Sequence, residues 1–420
     1  MMDLLQQALE MIESGEVELG LKKLKQAENQ ADHDYKFAIA EVYYELGHLK
    51  ETERIIEELL ALYPDEGSLI VFAAEVMIDG DKEDEAIEWL QEIKEADPAY
   101  LQAQLLLADL YQMQSLDEVA EQKLLAAARI APDEVIISYG LGEFYLERGD
   151  YNKSIPYLKK AVHAKNDLPN VQVELKMAEA FSASGQFEEA LQYYEKGLRD
   201  QLEPHALFGY GFTAFQVGDM TLAIEQLEAL KALDPDFSSL YPYLAKAFEA
   251  ENRLDEAMET LKAGMSVDEY NEQLYILAGK LSFKRQAPEE GELYLRKVIA
   301  LNPSNMEAVQ TLAAYLKHTD QFEELAELIS HTKSYGEVDP LLTWYEGSAL
   351  RETEEYDEAL KCYSEVADHF VEDEDFLFEY GTFLLEEGLR EKAFSSFNQL
   401  LKLNPNRSDV KEIIGNLQLD

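Results

Sequence analysis

Along the 420 residues, apolar positions recur at i, i+3, i+4 and i+7 in stretches about a dozen residues long, each ended by a short polar turn. That is the period of an amphipathic helix. A stricter pattern of small residues lies within it. One series reads Gly20, Thr52, Ala86, Ala120, Ser154, Ala190, Ala223, Ala257, Gly291, Leu325, Ala359 and Ala393, at intervals of 32, 34, 34, 34, 36 and 33 and then five of 34. The other runs twelve residues ahead, at Ala40, Ala74, Ala108, Gly142, Ala178, Gly211, Ala245, Gly279, Ala313, Gly347 and Gly381. Prolines keep the same register: Pro64, Pro98 and Pro132 are 34 apart, and Pro303 and Pro405 are three periods apart. Small residues on facing helices let two backbones approach closely. The pattern therefore predicts about twelve helix-turn-helix units, each closed at a small-residue seam and stacked on the next.

Two units show the pattern fully, GEFYLERGDYNKSIPYLKKA at 142–161 and AEAFSASGQFEEALQYYEKG at 178–197. With a small residue, an aromatic, a turn glycine (Gly149, Gly185) and a second small residue in order, they resemble the tetratricopeptide repeat. The resemblance covers essentially the whole chain. It implies an all-α, right-handed superhelical solenoid in which the first helix of each pair lines a concave groove that binds proteins or peptides. The expected organisation is repeats 1–5 over residues 1–168, repeats 6–10 over 169–339, repeats 11–12 over 340–407, and a capping helix over 408–420. Bends or hinges are expected where the pattern departs from itself. The period stretches at 164–170; Leu325 replaces a small residue in repeat 10; and HTKSYGEVDP at 331–340 lacks the usual turn signal.

Composition narrows the function. Hydrophobic residues make up 47% of the chain, and the 21 glycines and 12 prolines are few, which excludes a disordered or fibrous protein. With 85 Asp and Glu against 36 Lys and Arg, the net charge of −49 repels a phosphate backbone, so no nucleic acid is expected as partner. A protein or peptide with a basic segment is the natural counterpart. The single cysteine, Cys362, allows no intramolecular disulfide and fits a reducing compartment. The acidic N-terminus has no secretory signal pattern, and no apolar run is long enough to span a bilayer. A cytoplasmic protein with no membrane association is expected. Taken whole, the chain is similar to the long, acidic, repeat-only cytoplasmic proteins of low-GC Gram-positive bacteria.

Catalytic chemistry finds no support. GYGFTA at 209–214 matches a dinucleotide-binding pattern, but no strand precedes it, and Gly211 is already the packing residue of repeat 7. Cys362 and His369 stand two turns apart on one predicted helix face, which reads as a packed small residue and a solvated histidine. No metal, cofactor or enzyme activity is expected.

The groove is the candidate site. The residue after the first small residue of each repeat is Glu41, Glu75, Asp109, Glu143 and Glu179 in repeats 2–6, Phe212 in repeat 7, and Lys246 and Lys280 in repeats 8 and 9. Lys284, Lys317 and Arg351 fall one turn further on the same predicted face. Successive repeats about 10 Å apart exceed the roughly 8 Å screening length at physiological salt, so an acidic and a basic half are expected to keep separate potentials. At the crossover Phe208, Phe212 and Phe215 share one helical stripe opposite Leu207, Tyr210, Gly211 and Ala214. They serve either as a groove hot spot or as filling between neighbouring repeats, and Trp344 and Phe283 carry the same two readings. Co-chaperone repeats, by family resemblance, grip a carboxylate through Lys and Asn; here that face carries carboxylates, which argues against the role. The expected function is an adaptor that holds a basic segment in repeats 2–6 and an acidic one in repeats 8–11. The rivals are a self-assembling solenoid whose concave face is filled by its own side chains, and a peptide sensor coupled to an enzyme domain.

Overall fold

The structure, a computed structural model, describes residues 2–164, 171–199, 202–336 and 339–419. Among these every regular element is an α-helix, twenty-five in all, from α1 (Met2–Glu13) to α25 (Ser408–Leu419). Odd-numbered helices open the repeats and even-numbered ones close them, which gives twelve pairs and a final helix. The first helices of repeats 2–6 are α3 (His33–Glu45), α5 (Gly67–Asp79), α7 (Tyr100–Met113), α9 (Val135–Glu147) and α11 (Val173–Ala183). Those of repeats 7–12 are α13 (Pro204–Val217), α15 (Leu240–Ala250), α17 (Glu272–Lys284), α19 (Met306–His318), α21 (Pro340–Glu352) and α23 (Glu374–Glu386).

Every residue of both small-residue series is buried. The seams have no room to spare: a Cβ on Gly142 would lie 2.5 Å from Leu158 Cδ2, and one on Gly381 would lie 2.8 Å from the Phe397 ring. Ser154 donates from Oγ to the Gly142 carbonyl at 2.7 Å, bonding the facing backbone directly. Leu325 is buried as well, so repeat 10 accepts a large residue opposite Ala313 without opening its hairpin.

Each hairpin turns through one residue in left-handed backbone. The positions are Gly15, Gly47, Asp81, Ser115, Gly149, Gly185, Gly218, Asn252, Gln286, Asp320, Glu354 and Gly388, all with φ between +55° and +87°. They repeat the intervals of the small-residue series, five residues ahead of it. A thirteenth, Gly336 at φ +85°, closes the irregular end of repeat 10. Asp339 then caps α21 by accepting from the Leu342 N–H at 3.0 Å.

The chain forms two compact units, Met1–Thr213 and Ala214–Asp420, divided within α13. The stretched segment at 165–170 and residues 337–338 of the irregular segment lie outside the described residues. In the second unit α25 buries Val410 and packs Ile413, Ile414 and Leu417 on the terminal core, covering the last pair.

Candidate functional site

In the unit Met1–Thr213, Glu41, Glu75, Asp109, Glu143 and Glu179 each follow a buried seam residue and turn an exposed or half-buried carboxylate outward. A second row stands one turn on at Glu45, Asp79 and Glu147; reading a single position per repeat missed it. The rows act on each other. Burial, then the charge of Glu45, pushes the Glu41 carboxyl up. Burial raises Glu75 against a hydrogen bond from Gln102, with Asp79 and Glu41 adding to the rise. Burial alone raises Asp109. These carboxylates are reached by solvent yet crowded by protein, as on the inner wall of a groove.

Counter-charges there are few. Gln102 donates to Glu75 and Gln112 to Glu147, both at 3.0 Å, and Lys176 stands 3.5 Å from Glu143. Among the described residues no Lys or Arg forms an ion pair with Glu41, Asp109 or Glu179. The tyrosines record the same field. Burial, a hydrogen bond to Asp79 and the charges of Asp79 and Glu75 push Tyr44 up to about 12. Tyr139 rises through burial, a hydrogen bond to Glu143 and the charges of Glu143, Glu147 and Glu179.

At the end of this wall a cleft of about 570 Å³ opens among α9, α11 and α13, lined by Tyr139, Lys176, Glu179, Tyr194, Glu203 and His205. Gly209 forms part of its lining, and a Cβ there would collide with the Tyr194 phenol. The sequence offered no motif for the cleft, since its residues come from three repeats and each alone looks like ordinary helix surface.

On α13 the two stripes separate as expected. Leu207, Gly211 and Ala214 are buried, and Tyr210 stacks on Tyr194 with centroids 5.8 Å apart. Phe208 and Phe212 stack on each other at 6.3 Å, and Phe215 meets Tyr243 edge-on at 5.9 Å; all three phenylalanines are half-buried. The stripe is thus partly committed to ring contacts and partly open to solvent.

The unit Ala214–Asp420 departs from expectation. Lys280 pairs with Glu307 at 2.7 Å, Lys284 with Glu249, Lys317 with Glu379 at 2.7 Å and Arg351 with Glu386 at 2.8 Å. Lys246 lies over the Tyr243 ring, 5.9 Å from its centroid. Four of the five cations therefore meet carboxylates on the first helices of other repeats, and the row is not the open basic stretch that the sequence suggested. Phe283, likewise, stacks on Tyr315 of the next repeat at 4.8 Å.

Trp344 requires a correction. It is 5% exposed, packed against Phe370 and Phe376 at 5.2 Å each, so it belongs to the core and not to the groove. The Lys317 ammonium caps its ring at 4.1 Å. Glu379 in turn accepts hydrogen bonds from Lys317, Ser348 and Tyr363. Burial alone would raise the Glu379 carboxyl, but Lys317 and the three hydrogen bonds hold it below the usual carboxylate range. Ser348 occupies the position equivalent to the acidic row and is itself buried, so at α21 the protein fills this face with its own side chains, whereas the equivalent Ala314 on α19 is exposed and Thr382 on α23 half-buried.

The cysteine pair also changes. The helix α22 (Tyr356–Val366) ends before His369, so Cys362 and His369 do not share a helix face. The thiol of Cys362 is pushed up to about 11 by burial and the charge of Glu346, far from a reactive thiolate. The segment 209–214 lies within α13, with no strand among the described residues.

Twelve helix pairs closed at small-residue seams, each turning through one left-handed residue, define a tetratricopeptide-repeat solenoid. Residues 340–407 match the family "YpiA-like, C-terminal tetratricopeptide repeats", and 112–163 match "YpiA-like, tetratricopeptide repeats". A general tetratricopeptide-repeat family matches 175–238, and the ARM repeat of tetratricopeptide repeat protein 21 matches 2–121. The TPR repeat-containing protein YpiA of Bacillus subtilis (strain 168) is 42% identical over 411 residues, 98% of this chain and 97% of that protein. The chain belongs to the YpiA-like tetratricopeptide-repeat family. Among solved structures, YrrB, described as a TPR protein with an unusual peptide-binding site, aligns at 17% identity and TM-score 0.40 over 45% of this chain and 96% of its own. The APC/C assembly Cut9–Hcn1 aligns at 12% and 0.40 over 98% and 95%. Among the described residues no helix is long and apolar enough to cross a membrane.

Proposed function

We propose that the protein is a binding scaffold whose acidic wall, α3 to α11, captures a basic, extended segment of a partner protein. The observation that carries this reading is the row Glu41, Glu75 and Asp109, whose carboxyls are raised by burial while, among the described residues, no Lys or Arg pairs with Glu41 or Asp109. Crowded carboxylates without counter-charge favour an incoming Lys or Arg, because a cation offsets both the desolvation and the mutual repulsion. The cleft at Tyr139, Glu179 and Tyr194 adds aromatic surface where a segment can anchor.

The repeats from α19 to α23 support the structural reading for their part of the chain. Lys317 and Arg351 are paired with Glu379 and Glu386 and Ser348 fills the face at α21, so the acidic half of a bipartite ligand meets no open cation there, and this part of the solenoid serves to hold the scaffold together.

A fluorescent, proline-interrupted arginine peptide that cannot form a helix tests the groove. The triple variant Glu75→Lys, Asp109→Lys and Glu179→Lys is expected to bind it at least about tenfold more weakly, since each reversal replaces an attraction by a repulsion. Unchanged affinity in the folded variant overturns the reading.

A further inference from the structure

Trp89 stands apart from the groove. It lies on the closing helix α6 (Glu83–Glu92), three residues after the seam residue Ala86, and is 37% exposed. The other tryptophan is in the core. Aromatics at the same repeat position elsewhere are all committed: Tyr157 stacks on Tyr145 at 5.7 Å, Tyr193 on Phe181 at 5.5 Å, and Tyr294 meets Tyr275 at 6.3 Å. Among the described residues Trp89 makes no ring contact, hydrogen bond or ion pair, so its indole is the one aromatic of this series with face and N–H uncommitted.

Two clefts flank that indole. One, of about 220 Å³, runs between α4 (Leu49–Leu60) and α6 over Ile56, Leu60 and Val76; the other, about 160 Å³, is bounded by Leu60, Pro64 and Ile70. Each has room for one apolar side chain, since a cavity of about 150 Å³ accepts a benzene ring. The rims are acidic. Glu53, Glu57 and Glu85 border the larger cleft and Glu92 the smaller, with one cation, Lys82, already 2.9 Å from Glu53.

We infer that the Trp89 face is a second docking surface, for an amphipathic helix of a partner protein with two large apolar residues about one turn apart and Lys or Arg beside them. The apolar anchors fill the clefts on either side of the indole, which they cover, and the basic residues meet the glutamates of the rim. Helical partners present anchors at i and i+4 about 5–6 Å apart, which suits two clefts separated by one ring. A second copy of this chain is disfavoured as occupant, because its own charge of −49 would meet an acidic rim.

The variant Trp344→Phe leaves Trp89 as the only indole and its emission as the reporter. The probe is an 18-residue peptide with leucines on one helical face and lysines on the rest; its control is the same composition scrambled to remove the face. The helical probe is expected to shift Trp89 emission to the blue and saturate, and the scrambled one to leave it in place. Followed by anisotropy of the labelled probe, Trp89→Ala and, separately, Glu57→Lys with Glu85→Lys are each expected to weaken binding at least tenfold. The groove triple variant is expected to retain it. Equal shifts from both peptides, or unchanged affinity in the folded rim variant, overturn the inference. Loss of binding in the groove variant alone would place the probe in the groove, overturning this surface while leaving the proposed function standing.

Discussion

Gln286 sits in left-handed backbone, φ +59°, at a turn where six of its eleven counterparts are glycine. Left-handed backbone destabilises a residue with a Cβ by roughly 1–2 kcal/mol, against about 0.5–1 kcal/mol of chain entropy for glycine. Gln286 is exposed, so Gln286→Gly loses little else and is expected to stabilise the protein by about 0.5–1 kcal/mol, read as a rise in the denaturant midpoint. This turn series was only half legible in the sequence, because Asp81, Ser115, Asn252, Gln286, Asp320 and Glu354 are polar residues of kinds that recur all along the chain; the fold imposes their conformation. The charge of the groove carries a prediction of its own. Glu41, Glu75 and Asp109 have folded-state pKa values raised above their ordinary ones, so the folded chain binds protons more tightly than the unfolded chain, and their contribution to stability falls as pH rises through the raised values. A bound cation reverses that preference. The arginine peptide is therefore expected to bind more tightly as pH rises from 4.5, the ordinary glutamate value, towards 7. Calorimetry in two buffers of different ionisation enthalpy should show protons released on binding, and proton uptake would contradict the assignment.

Helices α19, α21 and α23 are tied by one side chain: Lys317 reaches 62 positions along the chain to Glu379, past the helix between them. Sequence reasoning placed Lys317 in the groove because it compared each repeat with its neighbour and not with the next but one. Trp344 is buried from closer by: Phe370 lies in the connection from α22 to α23 and Phe376 on α23 of the adjacent pair, and neither contact shows in the pattern of a single repeat. Removing one partner of a buried pair destabilises by roughly 3–5 kcal/mol; with side chains about 20% exposed, Lys317→Met is expected to cost about 2–3 kcal/mol. Adding Glu379→Leu should recover much of that loss, because no unpaired carboxylate then remains. Chemical denaturation of the single and double variants checks both. The pH sign is opposite to that of the groove. Glu379 has a depressed pKa, so its contribution is present above the ordinary carboxylate value and is lost as pH falls through the depressed one. The acid limb of the unfolding profile should therefore be steeper in the wild type than in the double variant.

At the scale of the whole chain, what the sequence carried best was the period. Twelve seams fixed by eleven intervals survive because each repeat closes its own hairpin at the same two positions, so the architecture is a sum of local decisions. What it carried poorly was the distribution of charge, because a formal sign at one position does not show whether a carboxylate from another repeat already faces it. Yet the net charge of −49 is a property of the molecule and makes its own prediction. Self-repulsion opposes compactness, and the screening length falls from about 30 Å at 0.01 M salt to about 8 Å at 0.15 M. Over that range the thermal midpoint should rise. The affinity of the groove for the arginine peptide should fall by about tenfold or more, since the same ions that relieve the repulsion between carboxylates also compete for them. The opposed signs matter because they exclude unfolding as the cause of lost binding: a chain that grows more stable while releasing its ligand does so by screening alone. An affinity that stays flat across the range would mean that the acidic wall is not where the peptide binds.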